Sequence, residues 1–152
     1  MLAREDRTMP RMCFVNLPST DIPRSRRFYE ALGFSFDPRF TGEDNLCVVV
    51  SDTIFFMVMT REKFAGFAPR PVGEPDKTCS VLVALSCDSR RAVEDFVAAA
   101  VAHGGQDNDK PQVMGDYMFG QSVSDPDGNV IEVMWMDLEA ATAAWSGDGP
   151  TA

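Results

Sequence analysis

Glu132 and Asn16 are the residues whose types and settings point to chemistry. Glu132 stands in an otherwise apolar run, Val130-Ile131-Glu132-Val133-Met134-Trp135. A carboxylate poised in a dry pocket is raised toward neutrality and can take a proton from a carbon beside a carbonyl. Asn16 interrupts a second apolar run, Met12 to Leu17. Its amide can orient a substrate or satisfy backbone groups near a strand end. Tyr117 and Phe119, just before the last run, suit either the mouth of a pocket or hairpin packing. Other chemistry is thin. The one histidine, His103, closes a helical pattern, where its positive form is favoured. Cys13, Cys47, Cys79 and Cys87 form no CxxC pair, and all but Cys79 lie in apolar runs as small hydrophobes.

The elements that would position these residues occur twice in the same order. In the first half an apolar run to Leu17 leads through Asp21 into an amphipathic stretch, Ile22 to Leu32, closed by Gly33. In the second, Val81 to Leu85 leads through Ser86-Cys87-Asp88 into Arg90 to His103, closed by Gly104-Gly105. Asp or Ser before each stretch and Gly after it are helix-start and helix-stop signals. Phe28 with Leu32, and Val93 with Val97, Ala100 and Val101, form the apolar stripes. Val50-Ser51-Asp52 before Ile54 to Met59 is then echoed by Val123-Ser124-Asp125 before Val130 to Trp135. Each echo is a hairpin, the second with the stronger turn, Pro126-Asp127-Gly128-Asn129. Strands are therefore predicted over 12–17, 46–50, 54–59, 81–85, 118–123 and 130–136, and helices over 22–32 and 90–103. The stretch 61–78 reads as a linker with one helical turn at Arg61 to Phe64.

Bulk properties narrow the function classes. A net charge of −9, with no basic cluster beyond Arg24, Arg26 and Arg27 on a helix face, argues against nucleic acid as a partner. No apolar stretch is long enough to span a bilayer and no secretory signal is evident, so a reducing cytoplasmic setting without disulfides and no membrane partner are expected. Residues 1–9 read as a loose extension and 138–152 as a tail.

Arg26-Arg27-Phe28-Tyr29-Glu30-Ala31-Leu32-Gly33-Phe34 is similar to the first-helix signature of the vicinal oxygen chelate superfamily, which includes glyoxalases, bleomycin-resistance proteins and extradiol dioxygenases. Asp125-Pro126-Asp127-Gly128-Asn129-Val130-Ile131-Glu132 resembles its closing hairpin. The resemblance spans about residues 10 to 137, and the stretches Phe14 to Asp21 and Ile54 to Phe67 look most like an uncharacterised bacterial branch often called predicted lactoylglutathione lyases. It implies an α+β fold of paired βαβββ modules, 10–60 and 79–137, forming a curved mixed sheet around a concave pocket with helices outside. It also implies a homodimer, since relatives commonly pair their modules across subunits.

In metal-using relatives four strands each give one ligand. The positions resembling them are Phe14, Phe56, Leu82 and Glu132, and three of these have no lone pair to offer. No metal and no other cofactor is therefore expected. Alternation along strands puts Phe14 with Asn16, Phe56 with Val58, Leu82 with Ala84, and Glu132 with Met134 on the concave face. That face is an apolar pocket with two polar groups, suited to a small molecule. Two functions follow: a metal-independent binder of a small, largely apolar ligand, or a metal-independent lyase or isomerase with Glu132 as general base. A metal-dependent lactoylglutathione lyase or dioxygenase is opposed by the residues.

Overall fold

Each half of the chain closes a parallel strand pair around a crossover helix. The computed structural model describes residues 8–146. Strand β1 (Cys13–Ser19) leads into α1 (Ile22–Ala31). The Asp21 carboxylate accepts from the Arg24 backbone N–H at 2.9 Å, and Pro23 fits the first turn, where its missing N–H costs nothing. The chain continues through β2 (Ser35–Phe36), a 3-10 turn at Pro38–Phe40, β3 (Asn45–Val49) and β4 (Ile54–Thr60). These strands form a sheet in the order β1-β4-β3-β2, with β1 parallel to β4. Thr60 then caps α2 (Arg61–Phe67), which is longer than the single turn read from sequence.

The second half repeats the plan. It runs β5 (Val83–Ser86), α3 (Arg90–Ala102), β6 (Gln106–Asp107), β7 (Gln112–Met114), β8 (Met118–Ser124) and β9 (Val130–Met136). Here β5 lies parallel to β9, β9 pairs with β8, and both short strands β6 and β7 pair with β8. The α+β class and the paired modules expected from the sequence are thus present, each module carrying its own mixed sheet. Most boundaries shift by a residue or two, and two differences matter. Val81 and Leu82 precede β5 and are exposed, because no strand pairs with them. The tail from 138 is helical as far as α4 (Leu138–Ser146): Asp137 caps it, its alanines favour helix, and Ala141 buries itself. The loose extension read over 1–9 and the end of the tail lie largely outside the described residues.

One core joins the halves. Phe28 and Tyr29 of α1 and Val93, Val97 and Ala100 of α3 pack with Phe56 and Val58 of the first sheet and Ile131 and Val133 of the second. The Phe34 and Phe96 rings meet edge-on across the modules, with centroids 6.2 Å apart. At Gly105 a Cβ would come within 2.7 Å of both a Phe28 ring carbon and the Ser124 carbonyl oxygen, so only glycine allows α1 to lie this close.

The turn Asp125–Asn129 fastens the first module to the second. Asp125 is buried, and its Oδ2 accepts from the Tyr29 hydroxyl at 2.8 Å and from Asn129 Nδ2 at 2.9 Å. Its Oδ1 accepts from the backbone N–H groups of Asp127 and Asn129. Asn129 Nδ2 also donates to the Pro18 carbonyl, and Asp127 takes the Thr20 hydroxyl and the Arg24 guanidinium. Burial pushes the Asp125 carboxyl up, while the bonds from Asn129 and Tyr29 pull it back down. The Tyr29 phenol is pushed well above its ordinary value, by burial first and then by the Asp125 charge, so it remains a donor.

With its folded value above the unfolded one, Asp125 favours the fold most below the ordinary carboxylate range, and that contribution is lost as pH rises through the raised value. The Tyr29 bond limits the loss by stabilising the ionised form. Tyr29→Phe should therefore lower the unfolding free energy in urea by about 1–3 kcal/mol at neutral pH, and by less near pH 4, where a protonated Asp125 needs the phenol less.

Candidate functional site

Strand register decides which side chains face the open side of each sheet. In the first sheet Phe14 lies beside Phe55, Asn16 beside Met57 and Leu17 beside Val58. Val15 and Leu17 pack toward the core with Phe56 and Val58, so Phe14, Asn16, Phe55, Met57 and Met59 take the opposite face. Phe14 and Phe55 stack there, with centroids 5.2 Å apart and 15° between planes.

The placement of Phe56 on this face is therefore corrected. It is fully buried, edge-on to Tyr29 and Phe34, and Val58 is buried beside it. The cause is a slip of one residue in the repeat. The two hairpins close alike, the Val50 N–H donating to the Ile54 carbonyl and the Asp125 N–H to the Asn129 carbonyl, so Phe56 is the counterpart of Ile131 and Met57 that of Glu132. Setting Phe56 against Glu132 puts a core residue opposite an open-face one.

Two short elements turn this face into a pocket of about 560 Å³. Asn16, Met57 and Met59 form its floor. The helix α2, folded back over β4 by the Thr60 cap, brings Lys63 and Phe67, and the 3-10 turn brings Arg39 and Phe40. Lys63 Nζ ties α2 to the strand below by donating to Asn45 Oδ1 at 2.9 Å and Asp44 Oδ1 at 3.2 Å. Arg39 is held by the Asp37 carboxylate through Nε at 3.0 Å and Nη2 at 2.7 Å, which keeps that carboxyl below its usual range. A second hollow, about 220 Å³, lies between the end of β1 and the linker and also includes Asn16, with Phe64, Pro75, Val81 and Val130. Asn16 is thus the polar side chain common to both.

The thiol on this face is inert. Cys47 pairs with Met57 and shares its direction, but burial first and the Asp37 charge second push it up, so it stays protonated.

The other sequence candidates are dispersed. Glu132 and Met134 do lie on the open face of the second sheet, opposite Ala84 and Ser86 of β5. Glu132 Oε1 accepts from Gln112 Nε2 at 2.9 Å, a partner reached across β8 that no local pattern indicates. Glu132, Met134, Phe14 and Leu82 line neither hollow. Phe119 is corrected as well. It points into the core, where the Arg90 guanidinium lies 4.1 Å from its ring centroid, because β8 turns Gly120 and Ser122 to the open side. Tyr117 is half-buried at the β7–β8 turn and lines neither hollow. Met57, Met59, Phe40, Phe67, Lys63 and Arg39 escaped the sequence reading. The Phe-rich start of the linker was their one local signal.

The metal implied by the resemblance does not fit these residues. With the register corrected, the open faces offer Phe14 and Asn16, Met57, Ala84, and Glu132, an amide and a carboxylate on different sheets. Among the described residues no three His, Cys, Asp or Glu side chains gather where an ion could be held. His103 sits at the end of α3 with Nδ1 2.9 Å from the Ala99 carbonyl oxygen.

Residues 11–51 match the family model of the bleomycin resistance protein-like N-terminal domain. No curated protein matches the chain. Among solved structures it is similar to a glyoxalase-related enzyme from Fulvimarina pelagi (19% identity, 84% of this chain and 88% of that one, TM-score 0.70). It is also similar to a glyoxalase/bleomycin resistance protein/dioxygenase family enzyme from Burkholderia phytofirmans (19% identity, 81% and 96%, TM-score 0.66). A glyoxalase/bleomycin resistance protein from Albidiferax ferrireducens is a third (21% identity, 82% and 97%, TM-score 0.62). These likenesses are of fold.

The corrected faces have separable consequences. Phe56→Ala should destabilise the protein by about 3–5 kcal/mol in urea unfolding, since it empties a filled core position. Met57→Ala, on the pocket floor, should cost less than about 2 kcal/mol and change ligand binding instead.

Proposed function

We propose that this chain, which belongs by its fold to the vicinal oxygen chelate superfamily, is a metal-independent binder of a small, largely apolar molecule, of the bleomycin-resistance kind. The observation that carries this reading is the pocket on the open face of the first sheet. Its volume of about 560 Å³ and its walls of Met57, Met59, Phe40 and Phe67 around the Asn16 amide have the make-up of a small-molecule site. A family match over the first module supports the same half of the chain.

Among the described residues, catalysis by the superfamily's metal has no donor set. Metal-free proton abstraction by Glu132 has less support than binding, because Gln112 holds that carboxylate on the second sheet, outside the pocket. No described helix is long and apolar enough to cross a membrane.

The reading includes a homodimer. Phe14 is 52% exposed and Leu82 59%, with Val81 and Val113 also exposed, which leaves apolar surface on both modules for a second copy to cover.

Thermal melting in the presence of flat apolar compounds tests the pocket. Such compounds should raise the melting temperature of the wild-type protein, and Met57→Trp, which fills the floor, should abolish the rise. Zinc, nickel or manganese should give no rise, and about one tightly held ion per chain on elemental analysis would contradict the metal-independent reading. Sedimentation at micromolar concentration should show twice the 16.7 kDa chain mass; a lone monomer would remove the dimer.

A further inference from the structure

The charge around the pocket runs against the charge of the molecule. The chain has 23 acidic and 14 basic residues, yet the pocket wall holds Arg39 and Lys63 and no carboxylate. The two cations differ in what they have left to give. Arg39 presents Nε and Nη2 to both oxygens of Asp37, so its charge is met at close range, and its side chain is 77% exposed to water. Lys63 is more deeply placed than its counter-ion. Its side chain is 35% exposed and that of Asp44 is 59%, and its other acceptor, Asn45, is neutral. An ammonium has three donors, so one N–H of Lys63 remains for a ligand. The Asp44 charge, lying toward water, is the more screened of the two.

The apolar part of the wall also selects a shape. The thioethers of Met57 and Met59 and the rings of Phe40 and Phe67 are side chains that favour contact with flat π systems. We infer that the pocket takes an aromatic or similarly flat apolar molecule carrying one anionic group of the carboxylate or sulfonate class, with Lys63 holding the anion and the Met and Phe side chains the ring. This rests on the reading of the same pocket as a binding site. Asn16 supplies a further polar contact from the floor.

Titration calorimetry with naphthalene carboxylate and with its uncharged carboxamide tests it, because the two probes share a ring and differ in charge. The wild-type protein should bind the carboxylate about tenfold more tightly than the carboxamide, the scale of one partly buried charged hydrogen bond. The preference should shrink as salt is raised. Lys63→Met and Lys63→Gln should each remove the preference, bringing carboxylate affinity down to that of the carboxamide. Asp44→Asn should strengthen carboxylate binding alone by freeing the ammonium, an effect that loss of a purely structural ion pair does not produce. Equal binding of the two probes by the wild type, a preference surviving both Lys63 variants, or no gain in Asp44→Asn would each overturn the anion-holding role while leaving the pocket as a site. Failure of both probes to bind, or binding indifferent to Met57→Trp, would overturn the pocket reading itself.

Discussion

A buried carboxylate that pairs with no cation among the described residues holds the two halves of this protein in register. Asp125 spends its acceptor capacity on the Tyr29 hydroxyl, the Asn129 amide and two backbone N–H groups, so its charge is spread over polar donors instead of being cancelled. Such an arrangement is stable only when every member is in place, because a half-satisfied buried network costs more than an apolar one. It therefore fixes where α1 lies on the second module. Through Asn129 and the Pro18 carbonyl it also fixes the end of β1, the strand that carries Asn16. The linker reinforces the same point: Gly128 packs so closely on Asp76 that a Cβ would fall 2.5 Å from its backbone nitrogen.

The fold was legible because its signals are local and repeated. Asp21 and Ser89 cap the two main helices, Gly33 and Gly104 end them, and the apolar runs between are the strands that pair. Leu138–Ser146 was missed for an equally local reason: an Ala-rich helix that buries little has a weak amphipathic pattern, and its cap Asp137 resembles any tail residue.

The site was less legible, since it depends on relations between elements. Asn16 and Glu132 were identified as open-face residues, but only Asn16 reaches the pocket, because Glu132 belongs to the other sheet and is held there by Gln112. Lys63 and Phe67 reach it because α2 folds back over β4, a tertiary choice that the spacing in the linker does not encode. Phe56 and Phe119 look like pocket residues in sequence and are core residues in space, as aromatic side chains on two-faced strands often are.

The equal hairpin turns bear on how a duplicated sequence diverges. Both close with the same backbone bond, so a given position after one turn points the same way as its counterpart after the other. Met57 and Glu132 are one such pair, facing the open side of their own sheets with unlike chemistry. A residue gained in either turn would exchange every lining side chain of the next strand for its packing side chains at once. Equal turn length therefore confines divergence to single side chains, and each sheet can acquire its own ligand preference while its core stays filled.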